Sequence, residues 1–279
     1  MRAALFTDKD TSVEVTDIDL ATPSRNEVRV QIAAAGVCHS ELHLVRGEWE
    51  APAPLVPGHE GSGVITEVGP GVTHLAVGDH VVLSWNPYCG ECRECLAGRE
   101  TRCHQVATVI NATGSLLDGT SRLSRGGQRV NHYLGVSSWA EEVVVPATGA
   151  IKVRNDAPLE SVALVGCAAA TGVGAVVNTA EVTAGSTVAV IGCGGVGLPA
   201  AGATASFEPL ALAEMDARIL GSNYGSIRPQ FDIPKLVDLY MTRELLLDEL
   251  ITARRPLDEA AQALSDLASG AQLRQLLIP

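Results

Sequence analysis

Positive charge is scarce in this sequence: 20 Lys and Arg stand against 32 Asp and Glu, a formal net charge of -12. Basic residues form no run. Such a balance repels phosphate backbones and anionic lipid headgroups, which argues against nucleic acid and membrane partners and for a small-molecule substrate. An unbroken apolar leader is also missing. Met1-Arg2-Ala3-Ala4-Leu5-Phe6-Thr7-Asp8-Lys9-Asp10 carries charge where a secretory signal needs its apolar region, so a cytoplasmic location is expected. The one stretch that could pass for a membrane span, Val188 to Ala205, is broken by five glycines and Pro199 and suits a turn better than a bilayer. An even cysteine count is lacking too. Seven cysteines in a disulfide framework would leave one thiol over, whereas metal ligation in a reducing compartment uses six of them at informative spacings and leaves Cys193 without a role. At 279 residues and 46% hydrophobic, the chain can bury one large core or two modest ones, and two domains are expected.

The densest cysteine pattern is Cys89-Gly90-Glu91-Cys92-Arg93-Glu94-Cys95, followed by Cys103 after seven further residues. Three thiols at CxxC spacing and a fourth a short distance on can close a tetrahedral all-cysteine site. In the bacterial iron-sulfur run the fourth cysteine follows after three residues and precedes proline, whereas here it precedes His104, so zinc is favoured. With every position filled by thiolate, that ion would be structural.

A second concentration of chemistry is Gly36-Val37-Cys38-His39-Ser40-Glu41-Leu42-His43, just after an apolar strand. Its distant partners are Gly58-His59-Glu60, after a proline-rich turn, and Cys167 in the small-residue run Gly166 to Thr171. Two thiolates and one imidazole leave a tetrahedral zinc one open position. Taken alone, a cysteine in an apolar run is as well explained as a small buried hydrophobe, and Cys167 admits that reading.

Short alternating strands punctuated by Gly and Pro fill residues 3–82, as in Val28 to Ala33 and Gly63 to Gly69, and predict a β-rich domain. Residues 104–135 have glycines and little apolar period and are expected as loop with short strands. Strand character resumes at Ser137 to Val145, and helix begins near Pro158 to Leu164 and again over Gly172 to Asn178. Ser186 to Ile191 then reads as a buried strand running into Gly192-Cys193-Gly194-Gly195-Val196-Gly197. A strand leading into GxGxxG is half the context of a dinucleotide site, with the backbone approaching pyrophosphate at a helix N-terminus.

With these residues together, the chain resembles the medium-chain zinc-dependent alcohol dehydrogenases, from Met1 to about Pro199 and again from about Gly202 to Pro279. Gly69-Pro70-Gly71-Val72 and Val77-Gly78-Asp79-His80-Val81 resemble the signature turn and strand of that family's GroES-like catalytic domain. The resemblance implies a mixed α/β fold: a GroES-like catalytic domain over residues 1–160 with a structural-zinc loop at 89–103, a truncated Rossmann-like remnant over 161–227, and a C-terminal return to the catalytic domain over 228–279. It implies Cys38, His59 and Cys167 as ligands of a catalytic Zn2+ and Cys89, Cys92, Cys95 and Cys103 as ligands of a structural Zn2+. Glu41 and Glu60 become candidate partners of the ligating imidazole or alternative ligands. Ser40 and His43 match the family's proton relay, His39 and Arg274 its contacts to pyrophosphate, and Thr171 its contact to nicotinamide. Gly192, Gly194, Gly195, Val196 and Gly197 match its coenzyme turn. Trp49 and Trp85 fall where the family lines its substrate pocket, although a tryptophan is also a ready core residue.

The implied reaction is oxidation of a primary or aromatic alcohol to an aldehyde with NAD, or of a thiol adduct of formaldehyde as a close variant. Zinc acidifies the alcohol hydroxyl and hydride passes to nicotinamide. The family's coenzyme domain does not fit the space available. A Rossmann domain has strand order 3-2-1-4-5-6 and, at about 30 residues per βαβ unit, needs about 130 to 150 residues. Residues 187–279 number 93. Much of that is taken by expected elements of the return: helix Ile233 to Met241, strand Leu250 to Thr252, helix Asp258 to Leu267 and strand Leu273 to Ile278. Arg218 to Gly225 resembles the last coenzyme-domain strand, so the first and last strands are expected and the four between them are missing. Glu214 and Asp216 lie near the distance for a ribose-binding acid, but they belong to the segment leading into that last strand. Two readings follow: a dehydrogenase of uncertain activity, or an inactive zinc-stabilised remnant with a binding or dimerising role. A homo-oligomer joined near Ile219 to Tyr224 is expected, because unpaired strand edges and apolar faces seek partners.

Overall fold

The computed structural model describes residues 1–9, 11–190 and 208–279. Its axis is the long strand Glu27–Val37, the centre of a seven-stranded sheet. Across that sheet the order is Ala150–Lys152, His80–Leu83, Gly61–Val68, Glu27–Val37, Arg274–Ile278 and Ile251–Pro256. Glu142–Pro146 pairs with the first half of the long strand, Glu142 opposite Gln31 and Pro146 opposite Glu27. The alternation in Val28-Arg29-Val30-Gln31-Ile32 explains the choice: the three apolar residues enter the core and Gln31 faces solvent.

The C-terminal strand joins the same edge further along, with Gln275 opposite Val37, so Arg274 arrives beside Cys38. It reaches that register through a parallel pairing, Ile251–Pro256 with Arg274–Ile278, bridged by helix Ala260–Ser269. That helix buries Ala260, Ala263, Leu264 and Leu267, a 3.6-residue stripe, and ends on Gly270 in the left-handed conformation (φ 74°). Each buried leucine contributes about 1.5 to 3 kcal/mol.

A second core gathers Val82, Ile151, Val165 and Ala170 with Tyr224, Ile227, Ile233 and Val237. Helix Pro229–Met241 lies there, and Arg228 at its start pairs with Glu100 at 3.0 Å, tying this segment to the cysteine loop. A small sheet of Asp19–Leu20, Leu123–Arg125, Gln128–His132 and Leu55–Val56 carries the excursion of residues 104–135 back onto the main body. The four elements of the C-terminal return therefore all form, within a few residues of expectation.

Two expected strands do not form. Residues 186–190 have no regular structure, and Val188 and Val190 are 51% and 68% exposed. Residues 217–223 likewise carry no strand, with Ile219 63% exposed, although Tyr224 just after them is buried. The physical reason is that an apolar β-branched run becomes a strand only when its N–H and C=O groups find a ladder. In a 3-2-1-4-5-6 sheet the first and last strands are not neighbours, and the described residues supply nothing to lie between them. The turn Gly192 to Gly197 and the short helix expected over Leu198 to Ala205 lie outside the described residues. Among the described residues no single helix is long and apolar enough to cross a membrane.

Candidate active site and metal centres

Helix His39–Val45 starts on Cys38, whose backbone is extended (φ -119°, ψ 161°). Its third residue, Glu41, folds back so that one carboxylate oxygen accepts the Cys38 N–H at 3.1 Å. The other meets His59 Nδ1 at 2.5 Å. An ionised carboxylate can only accept, so Nδ1 carries a proton, and Nε2 faces Cys167 Sγ, 3.2 Å away. One helix-capping carboxylate thus also orients the imidazole, as a metal-binding histidine requires.

Cys167 sits at a break between the turn Ala163–Gly166 and helix Ala168–Gly174. Cys38, His59 and Cys167 are all buried, and their ligand atoms lie within 4.8 Å of one another. Hydrogen bonding with Cys167 pulls the Cys38 thiol well below its ordinary range, while the same contact and burial push Cys167 up. Charge thus concentrates on Cys38 in the bare site. Two buried thiols and a pre-oriented imidazole fit Zn2+ with one position open.

Glu60 does not reach His59's ring nitrogens. One of its oxygens accepts the Ala168 N–H at 2.9 Å and the other faces Arg274 Nη1 at 3.4 Å. It is completely buried, and desolvation raises its pKa to about 7 against the opposing pull of Arg274. A Cβ at Gly36 would lie 2.1 Å from its carboxylate, so this close approach needs glycine there.

A cavity of about 470 Å³ opens over the three ligands. The expected relay, coenzyme and pocket residues Ser40, His43, His39, Thr171, Arg274, Trp49 and Trp85 all line it. Ser40 Oγ is 3.8 Å from Cys38 Sγ. Trp49 stacks on His43 with ring centroids 5.0 Å apart, and Trp85 packs on Tyr224 at 4.5 Å. Arg274 is 3% exposed and engaged by Glu60.

Sequence reasoning missed Tyr133, His132 and Asn111, all from the excursion read as loop, and Tyr224. Tyr133 Oη donates to the Ser40 carbonyl at 3.1 Å and its ring meets His59 edge-on at 6.0 Å. His132 accepts the Arg122 N–H at 3.2 Å, and burial, with Arg122 and Arg129 nearby, lowers its pKa to about 3, so it stays neutral. Strand Gln128–His132 buries its last three residues in succession, so no alternation in the sequence marks His132 or Tyr133 as inward-facing.

The second thiol set is equally compact: the four sulfurs of Cys89, Cys92, Cys95 and Cys103 lie within 4.8 Å. Backbone N–H groups of Cys89 and Cys92 point at Cys103 and Cys89 sulfurs, both at 3.4 Å. Backbone hydrogen bonding from the Cys95 and His104 amides brings the Cys92 pKa down to about 6. Val106 and Ile110 pack against the cluster. Four convergent sulfurs held by amide dipoles fit a closed zinc site.

The profile of the alcohol dehydrogenase GroES-like domain matches residues 24–155. The chain is 43% identical over 198 residues to alcohol dehydrogenase class-3 of Drosophila melanogaster, a match that covers 71% of this chain and 52% of that protein. It thus spans about half the length of that relative. Against a candidate alcohol dehydrogenase D of Mycobacterium tuberculosis it is 31% identical over 365 aligned positions, with 99% of each chain covered. Those positions outnumber the 279 residues of this chain by 86, which puts the shortfall inside the chain. The crystal structure of benzyl alcohol dehydrogenase from Acinetobacter calcoaceticus superposes with a TM-score of 0.92 at 27% identity, covering 99% of this chain and 98% of that one. The chain belongs to the zinc-dependent alcohol dehydrogenase family, as a member that keeps the GroES-like domain and has a shortened coenzyme domain.

Proposed function

We propose that this chain holds zinc in both sites and binds a primary alcohol, aromatic alcohols included, which it oxidises to the aldehyde with NAD as hydride acceptor, slowly at best. The observation that carries this reading is the convergence of Cys38, His59 and Cys167 at the floor of a cavity walled by Trp49, Trp85, Tyr133 and Tyr224. Zinc held there supplies a Lewis acid that acidifies an alcohol hydroxyl. The protein's own part is to exclude water with aromatic walls, to hold Ser40 beside the ligands and to keep His43 on the cavity wall. A cytoplasmic, reducing setting suits the six unbridged thiols among the described residues.

A second reading, an inactive zinc-stabilised remnant, draws on a different observation. The segments flanking the glycine turn, 186–190 and 217–223, form no strand and expose their apolar residues. The described residues therefore offer no sheet against which adenine and its ribose could lie. Those exposed residues also make self-association near Ile219 to Tyr224 the expected fate of that face.

Steady-state NADH production from benzyl alcohol by the zinc-loaded protein, with Cys38→Ser as the blank, separates the two readings. Slow turnover that vanishes in Cys38→Ser supports the first; rates equal to the blank leave the second.

A further inference from the structure

Cys167 stands where the turn Ala163–Gly166 gives way to helix Ala168–Gly174, with a backbone (φ -142°, ψ -68°) that belongs to neither. The direction of its thiol is therefore set by the two peptide planes that flank it. Both planes are held by side chains from elsewhere in the chain. After Cys167, the Ala168 N–H donates to Glu60 at 2.9 Å; before it, the Gly166 carbonyl accepts the Tyr224 hydroxyl at 2.5 Å. Gly166 itself is pressed onto strand His80–Leu83, where a Cβ would lie 2.6 Å from the Leu83 carbonyl oxygen.

Tyr224 reaches that carbonyl from a segment that otherwise forms no part of the core. Residues 217–223 are exposed and carry no strand, yet Tyr224 is 2% exposed. Tyr224, Gly225 and Ser226 all have left-handed backbone (φ 54°, 63° and 50°). That conformation is costly for a side chain as bulky as tyrosine and persists only where the surroundings enforce it. Here they do. The turn lies directly on helix Ala168–Gly174, so that a Cβ on Gly174 would meet the Gly225 carbonyl oxygen at 2.4 Å and one on Gly225 the Ala170 carbonyl oxygen at 2.5 Å. Asn178 Nδ2 donates to the Gly225 carbonyl at 3.3 Å, and Thr179 Oγ1 donates to Ser226 Oγ at 2.9 Å. The Tyr224 ring packs on Trp85, and its hydroxyl lies 3.3 Å from Ser84 Oγ.

We propose that Tyr224 is a positioning residue for the third metal ligand: its hydroxyl holds the peptide plane that precedes Cys167, so the zinc affinity of Cys38, His59 and Cys167 depends on a residue from the end of the shortened segment. The role rests on the reading of this set as a zinc site and needs neither coenzyme nor turnover. A phenol hydroxyl has one proton to give. A buried carbonyl that loses it is left unsatisfied at a cost, which favours rotation of the peptide plane, and of the thiol with it, toward another donor. A ligand that must be reoriented binds metal more weakly, and losing such a partner outside the ligand set costs about ten- to a hundredfold in metal affinity. The four-cysteine loop, whose sulfurs take amide partners from the loop itself, is the internal reference.

The test is release of zinc from the loaded protein into increasing concentrations of a chromophoric chelator, with Cys38→Ser and Cys92→Ser to assign the two fractions. Tyr224→Phe keeps the ring on Trp85 and removes only the hydroxyl, and circular dichroism checks that it folds. It is expected to give up the zinc of the three-ligand set at about ten- to a hundredfold less chelator than the wild type, with the loop zinc unchanged. Ser84→Ala removes the other neighbour of the same hydroxyl and is expected to leave both fractions at wild-type values. No loss from the three-ligand set in Tyr224→Phe, or equal losses from both sites, overturns the inference; so does a loss in Ser84→Ala as large as in Tyr224→Phe. A wild type that holds zinc in the loop alone fails differently, since it overturns the zinc reading of Cys38, His59 and Cys167 and takes the role of Tyr224 with it.

Discussion

Residues 27–170 and residues 171–227 of this chain obey the same local rules with opposite results. In the first, every apolar strand has a partner on each side or a core beneath it, and the sheet delivers two metal-ligand sets with their supporting hydrogen bonds intact. In the second, equally apolar runs such as Thr187-Val188-Ala189-Val190 and Ile219-Leu220 lie exposed and unladdered. The difference is not in propensity but in company. Strand pattern reports what a side chain prefers, whereas a strand exists only when neighbouring backbone completes it. The catalytic domain survives the loss because its closing elements come from the C-terminus: Arg274–Ile278 pairs with the long strand and helix Ala260–Ser269 covers it.

If the contrast is sound, disturbing the intact region should have the larger effect. Elemental analysis of purified protein should give about two zinc ions per chain, falling to about one in Cys92→Ser and to about one in Cys38→Ser. The consequences for folding should differ. Structural zinc binding in small domains is worth about 10 to 16 kcal/mol, so losing even a fraction of it in Cys92→Ser should lower Tm by about 10 °C. Cys38→Ser, at a site with an open position, should shift Tm by no more than a few degrees. Equal Tm losses, or a zinc content of one that ignores Cys38→Ser, would mean that Cys38, His59 and Cys167 hold no zinc.

A smaller effect should come from the exposed face. Light scattering at micromolar concentration should show dimers or larger species, and Ile219→Asp with Leu220→Asp should shift them toward monomer with little change in Tm. A monodisperse wild-type monomer would mean that this face is satisfied within the chain.

The catalytic half was legible because its chemistry is local or its spacing is informative. Cys89, Cys92, Cys95 and Cys103 announce themselves by spacing alone, and Cys38 by the crowding of thiol, imidazole, hydroxyl and carboxylate just after an apolar strand. Cys167 carried no such signal; only the family resemblance pointed to it, since its two partners reach it through tertiary structure. Tyr133 and His132 were overlooked because a two-strand excursion rich in glycine has too little apolar period to show which residues turn inward. The strands expected at 186–191 and 218–225 failed for want of neighbours, which no reading of the two segments alone could supply.

On the proposed reading the metal-ligand sets are intact and the coenzyme grip is lost. Each charge-assisted hydrogen bond lost is worth about 1.5 to 3 kcal/mol, so losing the ribose carboxylate together with the adenine cleft should weaken coenzyme binding about a thousandfold. Titration of NADH into the zinc-loaded protein, followed by nicotinamide fluorescence, tests this directly. A dissociation constant of about a millimolar, or no saturation at all, is expected. A micromolar constant would contradict it and show that the shortened segment still closes around the dinucleotide.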